Sequence, residues 1–291
     1  MTVGRSWAAS GSASSARALL SLLRPQNGAI AAGAVVVGAW VSRRPPHLAP
    51  ALWGGLAALA ASSAANALND VVDLEADRAN RPGRPLPAGL VTRRAATAAW
   101  VAGYAVALAV GLALGPEAAA LVGLWIILTA LYTLAIQRVP LLGNAVASLV
   151  ASSAFVLGGI TQGATGPSFV PFALAFLANA AREVVKDVED AEGDAAVGNE
   201  TFAVVFGARA SLNVARGLVV VLALIAAAPI VAGLFGSGYA AFLVPIEAAL
   251  VWLVIAMARP ATPGRVRLYS NLLKVVMVAG VFAVLAGVLT A

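Results

Sequence analysis

Six aspartates in two separated runs share one spacing. Asp70, Asp73 and Asp77 stand at i, i+3 and i+7, and Asp187, Asp190 and Asp194 repeat the pattern. Of the 13 acidic residues, eleven lie in these runs and at Glu200 just after the second. On a helix advancing about 100° per residue, each trio falls within an arc of roughly 60°, and Glu75 and Glu192 point away. Both runs sit at the ends of long apolar stretches. Crowded carboxylates beside a membrane repel one another and call for a cation. Hard oxygen donors at this spacing suit Mg²⁺, which keeps waters and bridges carboxylates to phosphates. Asn66 shares the Asp70 stripe and, with Asn69, can ligate or orient without adding charge. A merely solvated helix end would scatter its acids round the helix, whereas here one face is kept in two copies.

Basic residues flank both runs. Arg81 and Arg84 stand among the prolines of the segment 78–89, a stiff non-helical loop whose guanidinium groups suit bidentate phosphate contact. Arg93 and Arg94 read as ordinary loop charges. Arg182 and Lys186 adjoin Asp187, where they either contact a diphosphate or neutralise the acids, and Arg138 carries the same alternative. Arg24 opens the first apolar stretch, where a polar Asn27 is costly unless it faces a cavity. Tyr132 and Tyr269 lie near helix ends, facing a cation or phosphate or anchoring at the interface. The single histidine, His47, lies far from every cluster, and cysteine is absent. Ser-His-Asp chemistry, His-ligated zinc and thiolate nucleophiles are thereby excluded. Carboxylates, magnesium, a diphosphate and an apolar cavity remain, which fit the ionisation of an allylic prenyl diphosphate.

The elements that must position these groups are membrane helices. The chain has 291 residues, 61% of them hydrophobic and 11% charged, against about 25% charged in soluble domains. Windows of about 20 apolar residues fall at 18–41, 48–68, 95–115, 118–136, 142–162, 169–186, 210–234, 238–258 and 271–290, with a break at Gly115-Pro116. We expect an all-α integral membrane protein of nine transmembrane helices around a central cavity, built as two pseudo-repeated bundles that each deliver one aspartate stripe. With a cytoplasmic N-terminus, alternate loops place nearly all basic residues inside and only Arg43 and Arg44 outside. The positive-inside rule then puts both runs on the cytoplasmic face of the cell membrane. The net charge of +6 therefore reflects topology and anion binding, with no nucleic-acid partner. Residues 1–17 read as a disordered cytoplasmic tail and 18–291 as one domain, with longer inside loops at 78–93 and 194–209.

The motifs resemble the UbiA superfamily of intramembrane prenyltransferases. Asn69-Asp70-Val-Val-Asp73-Leu-Glu-Ala-Asp77 is similar to its first aspartate motif, and Asp187-Val-Glu-Asp190-Ala-Glu-Gly-Asp194 to its second. Arg24-Pro-Gln-Asn27 resembles its N-terminal RPxN, and Leu131-Tyr132 through Gly143-Asn144 its inner segment before the fifth helix. Within the superfamily, the two runs and their arginine-proline loop are similar to the archaeal-type branch making digeranylgeranylglyceryl phosphate; chlorophyll synthases share much of the pattern. One departure is Gln137-Arg138, where the family often has a diphosphate-binding lysine; that task would pass to Arg138 or Lys186. The resemblance implies nine spans around a cavity. It also implies the six aspartates as catalytic Mg²⁺ ligands with Asn66, and a prenyl diphosphate donor held by Asn27, Asn66, Asn69, Arg81, Arg84, Tyr132, Arg138, Asn144, Arg182 and Lys186. The acceptor is then geranylgeranylglyceryl phosphate, giving an ether-lipid precursor and free diphosphate, or an aromatic or tetrapyrrole ring. A cation-coupled transporter is the non-enzymatic rival, although its acids belong near mid-bilayer.

Overall fold

The computed structural model describes residues 16–291 except Val197 and the side chains of Ala76, Ala79, Asn80 and Arg138. The expected tail thus lies outside the described residues up to 15, while Ala16 and Arg17 already belong to a helix. Among the described residues all regular structure is helical. The order is α1 (residues 16–23), α2 (Pro25–Ser42), α3 (Leu48–Val72), α4 (Leu74–Asn80), α5 (Arg93–Leu114) and α6 (Pro116–Leu134). Then follow α7 (Leu142–Ser152), α8 (Ala154–Ile160), α9 (Phe169–Ala196), α10 (Phe202–Ala226), α11 (Ala228–Val231), α12 (Ser237–Ala256) and α13 (Pro263–Leu289).

Eight helical segments among the described residues are long and apolar enough to cross a membrane. The chain is an integral membrane protein. The window expected at 18–41 is not among these eight and is broken near its start. Arg24 takes a left-handed backbone (φ 48) between α1 and α2, and Pro25 cannot donate the bond that would continue α1. The break at Gly115-Pro116 is real, with Gly115 at φ 123 ending α5 and Pro116 starting α6. The long loop expected at 194–209 is shorter, because α9 runs to Ala196 and α10 begins at Phe202.

Two compact units divide the chain, one formed by residues up to Gly33 with Trp53–Leu134, the other by Ala34–Leu52 with Ala135–Ala291. In the first, Leu22, Ala67, Val71, Leu74, Leu86 and Val91 form a buried cluster. In the second, Leu212, Val219, Leu250, Leu253 and Leu273 are fully buried between α10, α12 and α13. Two tyrosines close helix ends there. Tyr239 donates to the Ala226 carbonyl at 2.8 Å and Tyr269 to the Ala256 carbonyl at 2.7 Å, satisfying terminal carbonyls that lipid cannot. Tyr269 is thus a core residue at 1% exposure, and the expectation that it faces a cation, a phosphate or the interface is corrected.

Candidate active site

The first run lies where α3 passes into α4. Asp73 occupies a bend (φ −83, ψ 8), so the trio spans two helices rather than one. The helical hydrogen bonds survive the bend, since Asp73 N donates to Asn69 O and Asp77 N to Asp73 O, both at 2.8 Å. Asp70 is only 2% exposed and Asp77 5%, and carboxylates so buried must be paired. Arg24 Nη2 meets Asp70 Oδ1 at 2.6 Å. Arg84 Nη1 reaches Asp77 Oδ2 at 2.5 Å and Asp70 Oδ1 at 3.4 Å. One cationic nitrogen therefore already spans two of the carboxylates.

The partners are fixed from the chain outward. Leu86, 5% exposed, plugs the loop into the cluster of Leu22, Val71 and Val91, and Ala88 N bonds Arg84 O at 2.9 Å. Arg84 is held in place by its own loop. Asn66 accepts from Arg24 Nη1 at 3.3 Å and donates to Leu23 O at 3.3 Å. Asn69 accepts from the buried Thr133 hydroxyl. Asn27 is exposed in the first turn of α2, and Tyr132 is half-buried one residue before Thr133. Arg81 is exposed, with no ion pair among the described residues.

The second run lies on one helix, α9. Asp187 accepts from Asn144 Nδ2 at 2.9 Å, a contact supplied by α7. Arg182 Nη1 pairs with Glu183 at 2.6 Å, and Lys186 Nζ approaches the same carboxylate at 3.9 Å. The Arg182 Nε is buried with no hydrogen-bond partner among the described residues. Asp194 accepts from Asn199 Nδ2 at 3.2 Å, while Asp190 is exposed. Glu189 pairs with Arg267 at 3.3 Å. The Arg138 side chain lies outside the described residues.

Among the described residues no three acidic side chains converge as a ready metal cage. The donor set nonetheless fits magnesium, which binds through one or two carboxylates and completes its shell with water and phosphate oxygens. Asp70 and Asp77 meet around a single cation, the Arg84 guanidinium. Sequence reasoning placed Arg84 on phosphate, whereas here it bridges carboxylates. Sequence reasoning did not find the pairing of Arg24 with Asp70, although the Arg-Pro-x-Asn pattern at 24–27 marked the position. Thr133 carried no signal, because a lone threonine in an apolar helix is unremarkable.

Residues 31–289 match the UbiA prenyltransferase family. The digeranylgeranylglyceryl phosphate synthase of Natronomonas pharaonis is 38% identical over 233 residues, covering 79% of this chain and 83% of that protein. A solved structure of a digeranylgeranylglyceryl phosphate synthase in membranes superposes with a TM-score of 0.82 at 24% identity, covering 94% of this chain and 98% of that one. A UbiA homologue from Archaeoglobus fulgidus, bound to DMAPP and Mg²⁺, gives 0.70 at 21%, covering 91% and 98%. The fold, the doubled aspartate runs and these matches place the chain in the UbiA prenyltransferase family.

Proposed function

We propose that this protein transfers a geranylgeranyl group from its diphosphate to the free hydroxyl of geranylgeranylglyceryl phosphate. The allylic C–O bond breaks with its electron pair passing to diphosphate. The acceptor oxygen bonds to the allylic carbon, and its proton leaves to water. The observation that carries this reading is the convergence of Asp70 and Asp77 on one cation in a run whose spacing recurs at Asp187. The name of the Natronomonas relative supports the acceptor.

Asp70, Asp73 and Asp77, with Asn66, would hold magnesium at the first run, and Asp187, Asp190 and Asp194 would hold it at the second. Bound there, magnesium supplies charge stabilisation to the departing diphosphate. The protein's own cations add to it. Arg24 and Arg84, which pair with the buried carboxylates, would contact the donor's phosphate oxygens. Arg81, Arg182 with its unpartnered Nε, Lys186 and Arg138 are further phosphate ligands. Asn144 orients Asp187, Asn69 is fixed by Thr133, and Asn27 and Tyr132 border the donor. The reacting groups sit at the cytoplasmic face, within one domain spanning 18–291.

The test is an assay of purified protein with Mg²⁺ and geranylgeranyl diphosphate, offering geranylgeranylglyceryl phosphate and an aromatic quinone precursor separately. The expected product is the diether phosphate with equimolar diphosphate. Alkylation of the aromatic ring alone would transfer the assignment to quinone- or tetrapyrrole-type chemistry. Failure of any turnover without a membrane gradient would favour transport instead.

A further inference from the structure

A second basic feature lies in the Ala34–Leu52 and Ala135–Ala291 unit, away from the second aspartate run. A cleft of about 340 Å³ is lined by Val41, Arg43, Arg44, Val170, Leu234 and Phe235 among others. Val170 stands in the first turn of α9 and Asp187 seventeen residues on, about 26 Å along the helix at 1.5 Å per residue. A hydrocarbon core is about 30 Å thick. The cleft therefore opens at the membrane surface opposite to the one that holds the second aspartate run.

Three properties of the cleft point to one kind of ligand. Arg43 and Arg44 are exposed and neither has an ion pair among the described residues. Unlike Arg24 and Arg84, they are cations without a counter-charge among the described residues. The Ser42 hydroxyl beside them is buried with no hydrogen-bond partner among the described residues, so a donor or acceptor is missing there. The loop carrying the arginines is also fixed in place. Gln162 accepts from His47 N at 2.6 Å and donates to His47 O at 3.2 Å, and Arg44 Nη2 donates to Leu234 O at 3.0 Å. The remaining walls are apolar.

We propose that this cleft is a seat for an anionic phospholipid of the leaflet opposite the second aspartate run. The phosphate would take Arg43 and the remaining Arg44 donors, with the Ser42 hydroxyl as a third contact. The first segment of an acyl or prenyl chain would lie along Val41, Val170, Leu234 and Phe235. A free anion would satisfy the guanidinium groups but leave the exposed Leu234 and the half-buried Val170 uncovered, and a zwitterionic headgroup would bring its own cation against two arginines.

Native mass spectrometry of the delipidated full chain in neutral detergent tests this. The probes are short-chain phosphatidylglycerol, phosphatidylcholine with the same chains, and inorganic phosphate. Phosphatidylglycerol should bind at least tenfold more tightly than phosphatidylcholine. Arg43→Gln should weaken it roughly fivefold and Arg43→Gln with Arg44→Gln roughly twenty-five-fold, at about 1 kcal/mol per arginine near a membrane surface. Arg259→Gln, an exposed arginine elsewhere, should bind as the unaltered chain does. If the double variant fails to fold, Arg43→Gln decides, since its side chain makes no hydrogen bond among the described residues. Equal binding of the two lipids, an unaffected Arg43→Gln, or binding of inorganic phosphate as tight as that of the lipid would overturn the proposal.

Discussion

Asp70 shows how much depends on a single carboxylate. It is buried and touched by Arg24 and Arg84, so it cannot be read as a solvated helix-end charge. Asp70→Asn keeps the shape and removes the charge. Turnover should fall at least about 100-fold at saturating Mg²⁺, since a lost transition-state metal contact costs several kcal/mol. Steady-state assay of the diether product measures it, and a variant keeping a tenth of the activity would contradict direct ligation. Asn144 acts on its carboxylate at one remove. Asn144→Ala frees Asp187 from its 2.9 Å bond, so the Mg²⁺ concentration for half-maximal rate should rise about 10- to 100-fold, as for other groups that orient metal ligands. The rate at saturating Mg²⁺ should recover, which a simple folding defect would not allow. The aspartates themselves were legible in the sequence because their spacing repeats. Their partners were not: Arg24 lies 46 residues from Asp70 and Asn144 43 from Asp187, and a single sequence carries no sign of such pairings.

At the level of elements, apolar length disclosed the helices, while close approach between them was hidden. Lipid removes the hydrophobic drive for helices to associate, so packing relies on small residues that let backbones meet. Gly38 of α2 and Gly158 of α8 do this reciprocally. A Cβ on Gly38 would overlap the Phe155 carbonyl, and one on Gly158 the Val35 carbonyl. Neither glycine stood out among 28, because the pair lies on different helices and forms no local motif. Gly38→Val should lower the thermal midpoint in detergent by roughly 5–10 °C, equivalent to about 2–3 kcal/mol of overpacking. The same substitution at Gly123, where a Cβ meets nothing within 4 Å, is the control and should leave the midpoint nearly unchanged. The bend at Asp73 was hidden for a related reason. Its residues favour helix on both sides, and only the geometry of α3 and α4 reveals the change of direction.

For the whole molecule, orientation in the membrane decides which loops meet substrate from each side. Three candidate spans, Arg93–Leu114, Pro116–Leu134 and Leu142–Ile160, separate the loop holding Arg84 from the turn before α9. If all three cross, their odd number should leave Gly83 and Gly166 accessible from opposite sides. In the proposed orientation Gly83 faces the cytoplasm, since basic residues crowd its loop and are excluded from the other. The absence of cysteine makes this directly measurable, because any introduced thiol is unique. A Cβ at either glycine meets nothing within 4 Å, so Gly83→Cys and Gly166→Cys should both fold. In intact cells a membrane-impermeant maleimide should label Gly166→Cys at once and Gly83→Cys only after permeabilisation. Preloading with geranylgeranyl diphosphate and Mg²⁺ should then slow labelling at Gly83→Cys alone, because the proposed donor site adjoins it at Arg84. Labelling of both sites from one side would mean that a span is miscounted. The reverse order would place Gly83 and the neighbouring first aspartate run on the outer face and overturn the proposed orientation.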